Sequence, residues 1–346
     1  MKKNYTILAI ESSCDETSAA VVKNGEELSN VISSQEIHTR YGGVIPELAS
    51  RAHLQSISRI VQQAMEIAGI SFHDLNAIAV TTQPGLAGAL LVGSSFAKGL
   101  ALKLDLPIVP VHHIEGHLFS GMLENPDVQF PFVALVVSGG HTSIFHVESY
   151  DRFTILGNTK DDAAGEAFDK IAKMLGLSYP GGPIIDALAK QGNPSRYEFP
   201  RSMLHDGTYQ FSFSGLKTSV RNFLHKEFPN GIPNEETLHD ICASVQSAIV
   251  EVLTKKTINA AKALSVKTIV IAGGVSANSG LRSAFLEYGK KRGLNIVLPR
   301  MSYCMDNAAM IGFLAEQKLH YHGEDAYRSF QFTVNSKPLR AISKKD

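Results

Sequence analysis

The chain has 346 residues, of which 44% are hydrophobic and 19% charged, and its 33 Lys plus Arg balance 33 Asp plus Glu. That length suits two α/β lobes better than one core, the apolar content excludes a disordered chain, and the balanced charge excludes the overall basic excess of a self-sufficient nucleic-acid binder. Cys14, Cys242 and Cys304 are odd in number and far apart, which fits reduced cytoplasmic thiols rather than a disulfide framework.

The first predicted elements are strands at residues 6–10 and 18–22, joined by a polar tip, Glu11-Ser12-Ser13-Cys14-Asp15-Glu16-Thr17. The apolar run at 7–10 is cut by Glu11 and is too short for a signal-peptide core, so no export is expected. Leu54, Ile57, Ile60, Val61, Ala64, Ile67 and Ala68 share one helical face that Gly69 closes. A buried strand at 77–80 follows. The apolar stretch 86–102 is interrupted by Gly88, Gly93, two serines and Lys98, so it reads as a buried helix and not a membrane span. Residues 107–111 form the next strand, which completes a β-α-β-α-β run with parallel pairing.

Residues 132–147 repeat the opening grammar, with a strand, the tip Ser138-Gly139-Gly140-His141-Thr142 and a second strand. The chain therefore reads as an internal duplication. Residues 151–233 are rich in Gly, Pro and Ser and are expected to be inserted helices and loops over a cleft. A helical face at Ile241, Val245, Ala248, Val252 and Leu253 leads to a strand at 268–272, then to Gly273-Gly274 and a last helix over 307–317. The predicted domains are 1–125 and 131–306, with 307–346 packing back on the first.

Five strings can carry chemistry. The Ser138-Gly139-Gly140 turn follows a buried strand, where glycine lets backbone N–H groups approach an anion; an ordinary hairpin turn is the alternative. Gly273 to Asn278 joins a strand to a helix and suits a nucleotide base or ribose, or else Ser276 or Asn278 simply caps that helix. His113 and His117 stand at i and i+4, with Cβ atoms about 5–6 Å apart, a spacing that can clamp one metal ion. Glu115 does not directly follow the first histidine, as the general base of a zincin does. Asp306 precedes the last helix and is either its N-cap or the third ligand, with Cys304 a further ligand candidate. Asp169 lies beyond the acidic helix start at 161–166, and Gly182 and Asp186 belong to the next glycine turn; structural and ligand roles stay open for all three.

Together these strings, with Gly42-Gly43-Val44-Ile45-Pro46-Glu47, Gly85 to Leu90 and Phe211-Ser212-Phe213-Ser214-Gly215-Leu216-Lys217, closely resemble the bacterial tRNA adenosine threonylcarbamoyltransferases, a family once described as glycoproteases. The match runs in order from about Ile7 to Ala309. The resemblance implies a two-lobed α/β fold of the actin/Hsp70/sugar-kinase (ASKHA) type, with duplicated ribonuclease-H-like lobes and a helical insertion. It implies a cytoplasmic acyltransferase that moves threonylcarbamoyl from threonylcarbamoyl-AMP to N6 of the adenosine 3′ of the anticodon in tRNAs reading codons that begin with A.

By the same resemblance His113, His117 and Asp306 hold one divalent ion per subunit, Fe(2+) favoured and Zn(2+) the alternative. Val136, Val137, Ser138, Gly139, Gly140, Asp169, Gly182, Asp186 and Asn278 contact the substrate, and the expected partners are tRNA, a related inactive ASKHA subunit and a small P-loop ATPase, with no membrane. Asp15 and Glu16 are the candidate proton acceptors. Met305 departs from the family, whose bacterial members commonly carry threonine there. A metallopeptidase and an ATP-dependent kinase of the same fold are the rival activities.

Overall fold

The computed structural model describes residues 3–41 and 43–337. Gly42 of the 42–47 string and residues 338–346 of the predicted C-terminal segment lie outside the described residues. The chain divides into two units, Met1–Asp127 with Met305–Asp346, and Val128–Cys304.

The first unit opens with β1 (Thr6–Glu11), β2 (Glu16–Lys23) and β3 (Glu26–Ser34), an antiparallel meander. It continues through α1 (Pro46–Ala68), β4 (Ala77–Gln83), α2 (Ala87–Leu104), β5 (Ile108–His112) and α3 (His113–Ser120). The sheet order is β3-β2-β1-β4-β5, with β4 and β5 joining in parallel. All six residues of β1 are buried, as expected of a strand covered on both faces. Leu8, Ile10, Ile78 and Val80 form a core with Ile57, Ile60 and Ala64 of α1 and Ala97 and Ala101 of α2.

The second unit starts with β6 (Phe132–Val137), β7 (Thr142–Val147) and β8 (Phe153–Asn158), then α4 (Ala164–Met174), α5 (Gly181–Ala189), α6 (Ser214–Glu227) and α7 (Glu235–Ala263). It ends with β9 (Thr268–Ala272), α8 (Ser279–Arg292) and β10 (Asn295–Val297). Its sheet order, β10-β9-β6-β7-β8, repeats that of the first unit: three antiparallel strands and two parallel ones. This is the duplication read from the sequence. The insertion is shorter than expected, because residues 153–158 form a sheet strand that returns antiparallel to β7. Its signal is weak, since an edge strand here buries only Gly157 fully and shows no clean alternation.

The chain then returns to the first unit as α9 (Ala308–His322), packed on β1 and β2. A Cβ on Gly312 would lie 2.7 Å from Val22 and 3.2 Å from Ala9, so α9 covers the face of β1 and β2 opposite to α1. The helix runs to His322, longer than the 307–317 expected. α2 corrects another expectation. It is the one described helix long and apolar enough to cross a membrane by length and composition. It is also not wholly buried: Ala89, Leu90, Ala97 and Ala101 face inward, whereas Leu91 and Leu102 are exposed. The segment after α9 adds cover, for Lys98 donates to the Phe332 carbonyl at 2.7 Å and lies 4.1 Å from the centre of its ring.

Candidate metal centre and glycine turns

His113 and His117 are the first and fifth residues of α3, which starts directly at the end of β5. His112 caps this helix, its Nδ1 accepting from the Ile114 N–H at 3.2 Å, so His113 and His117 are free of capping duty. Gly116 faces α9: a Cβ there would come within 2.9 Å of Ile311 and 3.2 Å of Met310. The helices therefore approach closely, and the start of α9 arrives beside the histidines.

Asn307, not Asp306, caps α9, its Oδ1 accepting from Met310 N–H at 3.1 Å. Asp306 is turned instead to the imidazoles, with Oδ1 2.9 Å from His117 Nε2 and 3.5 Å from His113 Nε2. The rings of His113 and His117 meet edge to face with centroids 4.7 Å apart. One ligand atom from each of the three residues lies within 4.8 Å of the others. Both histidines are buried.

The donor set fits a divalent ion. Two neutral imidazoles and a carboxylate are suited to Fe(2+) or Zn(2+). Among the described residues His117 Nδ1 is buried with no hydrogen-bond partner, while His113 Nδ1 is held from behind by Glu11 Oε2 at 3.0 Å and Ser13 Oγ at 3.1 Å. Burial alone would lower the His113 pKa, yet the carboxylates of Asp306 and Glu11 outweigh it and push it up to about 9. The carboxylates that hold a proton at this place would also favour a bound cation. Cys304 is not in the cluster; its Sγ lies 3.5 Å from the Arg300 carbonyl. Glu115 accepts from Lys318 Nζ at 2.8 Å, so the carboxylate a peptidase would need is committed elsewhere.

Glu11 and Thr81 escaped the sequence reading as site residues. Glu11 ends β1 and Thr81 lies on neighbouring β4, where the parallel register pairs Ile10 with Val80; Thr81 Oγ1 donates to Glu11 Oε2 at 2.6 Å. Only a strand register could have found that contact. Of the candidate proton acceptors, Asp15 is half-buried and Glu16 buried. Burial, then the Asp306 and Asp15 carboxylates, push Glu16 up to about 9.

In the second unit the Ser138 N–H donates to the His141 carbonyl at 2.8 Å, which closes the turn between β6 and β7. Cβ atoms on Gly139 or Gly140 would meet nothing within 4 Å. Neither glycine is demanded by protein packing, and the space over them is open. Gly165 is different: a Cβ would lie 2.7 Å from the Ser138 carbonyl oxygen and 2.8 Å from Gly139, so α4 begins against the turn. Gly273, at φ +87°, brings the β9 turn to the same place, where a Cβ would sit 2.5 Å from the Val137 oxygen.

The remaining candidates are each tied into this unit. Asp169 accepts from the Gly181 N–H at 2.7 Å, at the start of α5 that carries Gly182 and Asp186. Asp186 accepts from the Ser279 N–H at 3.1 Å and its hydroxyl at 2.8 Å. Asn278 caps α8 through the Leu281 N–H at 2.9 Å and donates to Gln246 Oε1 at 2.6 Å. Gln246, on the buried face of α7, was hidden in the sequence because one amide in a long helix carries no motif.

A duplicated α/β sheet of this order defines the actin-like ASKHA class, and solved structures agree on the fold. Component A of (R)-2-hydroxyglutaryl-CoA dehydratase from Acidaminococcus fermentans matches 91% of this chain and 98% of its own, at 18% identity and TM-score 0.53. HypF from T. kodakarensis matches 94% of this chain over 49% of its own, at 15% identity and TM-score 0.62. The profile of the family described as TsaD, tRNA N6-adenosine threonylcarbamoyltransferase, matches residues 26–313. Proteins of that name from Clostridium perfringens (strain ATCC 13124) and Geobacter sp. (strain M21) are 55% and 54% identical over 312 and 307 residues, covering 89% and 88% of this chain and 91% and 89% of theirs. The chain belongs to this family of tRNA-modifying acyltransferases.

Proposed function

We propose that the chain transfers threonylcarbamoyl from threonylcarbamoyl-AMP to N6 of the adenosine 3′ of the anticodon, in tRNAs that read codons beginning with A. The observation that carries the reading is the His113, His117 and Asp306 cluster, in which Asp306 is released from capping by Asn307 and faces two buried imidazoles. Family membership supplies the acyl group and the acceptor.

These three residues would hold one divalent ion, Fe(2+) favoured and Zn(2+) the alternative. When bound, it supplies Lewis-acid stabilisation of charge on substrate oxygens. The turn Ser138 to Gly140, set at the end of β6 by Val136 and Val137, would bind the adenylate phosphate through the backbone N–H groups of Gly139 and Gly140, in the space that the two glycines leave open. Asp169 would orient Gly182 at the start of α5, Asp186 would fix the start of α8, and Asn278 would hydrogen-bond the nucleoside. The exocyclic amine of adenine is a poor nucleophile, so positioning supplies much of the rate. Asp15 or Glu16 would take the proton after attack; in the metal-free chain burial and the Asp306 and Asp15 carboxylates raise the pKa of the Glu16 carboxyl.

The balanced charge, 33 against 33, leaves few phosphate contacts for tRNA. A related inactive ASKHA subunit and a small P-loop ATPase would complete the working assembly in the cytoplasm, where the free thiols of Cys14, Cys242 and Cys304 persist. The test is mass spectrometry of tRNA nucleosides after depletion of the protein. Loss of threonylcarbamoyladenosine supports the reading; an unchanged level in cells with no second enzyme of this activity ends it.

A further inference from the structure

The geometry points to Glu11 as the positioning residue of the metal centre, the carboxylate that fixes His113 so that its Nε2 faces Asp306. The inference rests on the reading of His113, His117 and Asp306 as ligands.

Three parallel strand ends meet here, the edge of the sheet where α/β proteins place their ligands. β1 ends in Glu11, β4 carries Thr81, and β5 runs directly into His113. Glu11 has no solvent exposure. Its Oε1 accepts from the Ser13 N–H at 2.5 Å, and its Oε2 accepts from Thr81 Oγ1 at 2.6 Å and from His113 Nδ1 at 3.0 Å. Burying a carboxylate is costly, and this one has hydrogen-bond donors on both oxygens but no lysine or arginine among them. Enclosed in this way it cannot reach a substrate, so it is no proton acceptor for the reaction. What it can do is hold the proton of His113 on Nδ1. The other nitrogen, Nε2, is then the one presented toward Asp306, 3.5 Å away. A carboxylate behind a ligating imidazole sets both the tautomer and the ring orientation.

Glu11→Gln keeps the shape and removes this control. In the neutral imidazole that an ion would bind, an amide nitrogen placed toward His113 donates where the carboxylate accepted, which favours the Nε2–H tautomer and puts the remaining proton on the metal side. The experiment is a titration of the metal-free full-length chain with Co(2+), followed by its visible absorption, with imidazole nitrogen NMR on the metal-free protein. Wild type should bind one Co(2+), Glu11→Gln should bind about 10- to 100-fold more weakly, and its His113 nitrogen shifts should change. Glu115→Gln, on the same helix but paired with Lys318, should bind as wild type. Thr81→Val removes only one donor to Glu11 and should weaken binding less, in the same direction; it decides the matter if Glu11→Gln does not fold. Wild-type affinity in folded Glu11→Gln, or in Thr81→Val when that variant must decide, overturns the positioning role. Failure of wild type to bind Co(2+) overturns the metal reading itself.

Discussion

His117 and Asp306 are 189 residues apart in sequence, yet Nε2 of the one lies 2.9 Å from Oδ1 of the other. The contact depends on two neighbours that do not touch the donors. Gly116 lets α3 close on α9, and Asn307 takes the cap that Asp306 would otherwise fill.

That division of labour separates two variants. Asn307→Ala should cost roughly 0.5–2 kcal/mol of stability, the usual loss of a helix cap, and keep its metal. Asp306→Ala should do the reverse, losing the metal and most transfer activity with cooperative unfolding retained. His113→Ala and His117→Ala should behave like Asp306→Ala. Elemental analysis, single-turnover transfer and thermal unfolding measured together distinguish the classes, and an Asp306→Ala protein that keeps its metal reduces Asp306 to a structural residue.

Metal uptake should be coupled to a proton. His113 titrates at about 9 in the metal-free protein, against 6.5 for the free side chain, so an ion must displace that proton at neutral pH. Apparent affinity should rise about tenfold per pH unit up to about pH 9 and then level off. The stability consequence has the opposite sign. A raised histidine pKa stabilises the metal-free fold fully below 6.5, and this contribution is lost as pH rises through about 9. Calorimetry in buffers of different ionisation enthalpy, and unfolding from pH 6 to 10 with and without metal, check both limbs. A pH-independent affinity contradicts the proposed protonation.

The two kinds of glycine at the 138–140 turn make contrasting predictions. Gly140→Val enters open space, so stability should change by no more than about 0.5 kcal/mol while binding of AMP or a stable threonylcarbamoyl-AMP analogue is lost. Gly165→Ala meets the Ser138 carbonyl and Gly139 backbone, and should destabilise by about 1–3 kcal/mol through overpacking. Denaturant titration alongside nucleotide binding reads both. Unchanged analogue affinity in Gly140→Val leaves the turn with a structural role only.

Gln246→Leu should act on Asn278. It leaves a buried amide N–H without its acceptor, a loss of about 1–3 kcal/mol, and frees the side chain to turn about the cap it makes with Leu281. The expected signature is a raised KM for threonylcarbamoyl-AMP with a smaller change in kcat. Gln246→Glu, which retains an acceptor, should restore most of the difference; equal KM in all three proteins removes Gln246 from substrate positioning.

Local pattern was enough for much of this. The two hairpins, the helical face on α1, and the repeated strand-tip-strand grammar are short-range consequences of where apolar residues fall, and they specify the duplicated sheet. The His113 and His117 pair was equally visible, because a helix fixes the i and i+4 geometry without help. β8 was not, since an edge strand with one fully buried residue leaves little periodicity. Asp306 could be read as cap or ligand, and Asn278 as cap or nucleotide contact, because the same side-chain oxygen serves either use. Only the fold showed which side chains cap: Asn307 caps α9 and leaves Asp306 facing the imidazoles, and Asn278 caps α8 with Gln246 on the far side of its amide. Glu11 was hidden for the same reason. Its role lies in the parallel register of β1 and β4 and in the helix that follows β5, and contacts across strands are made by tertiary structure alone.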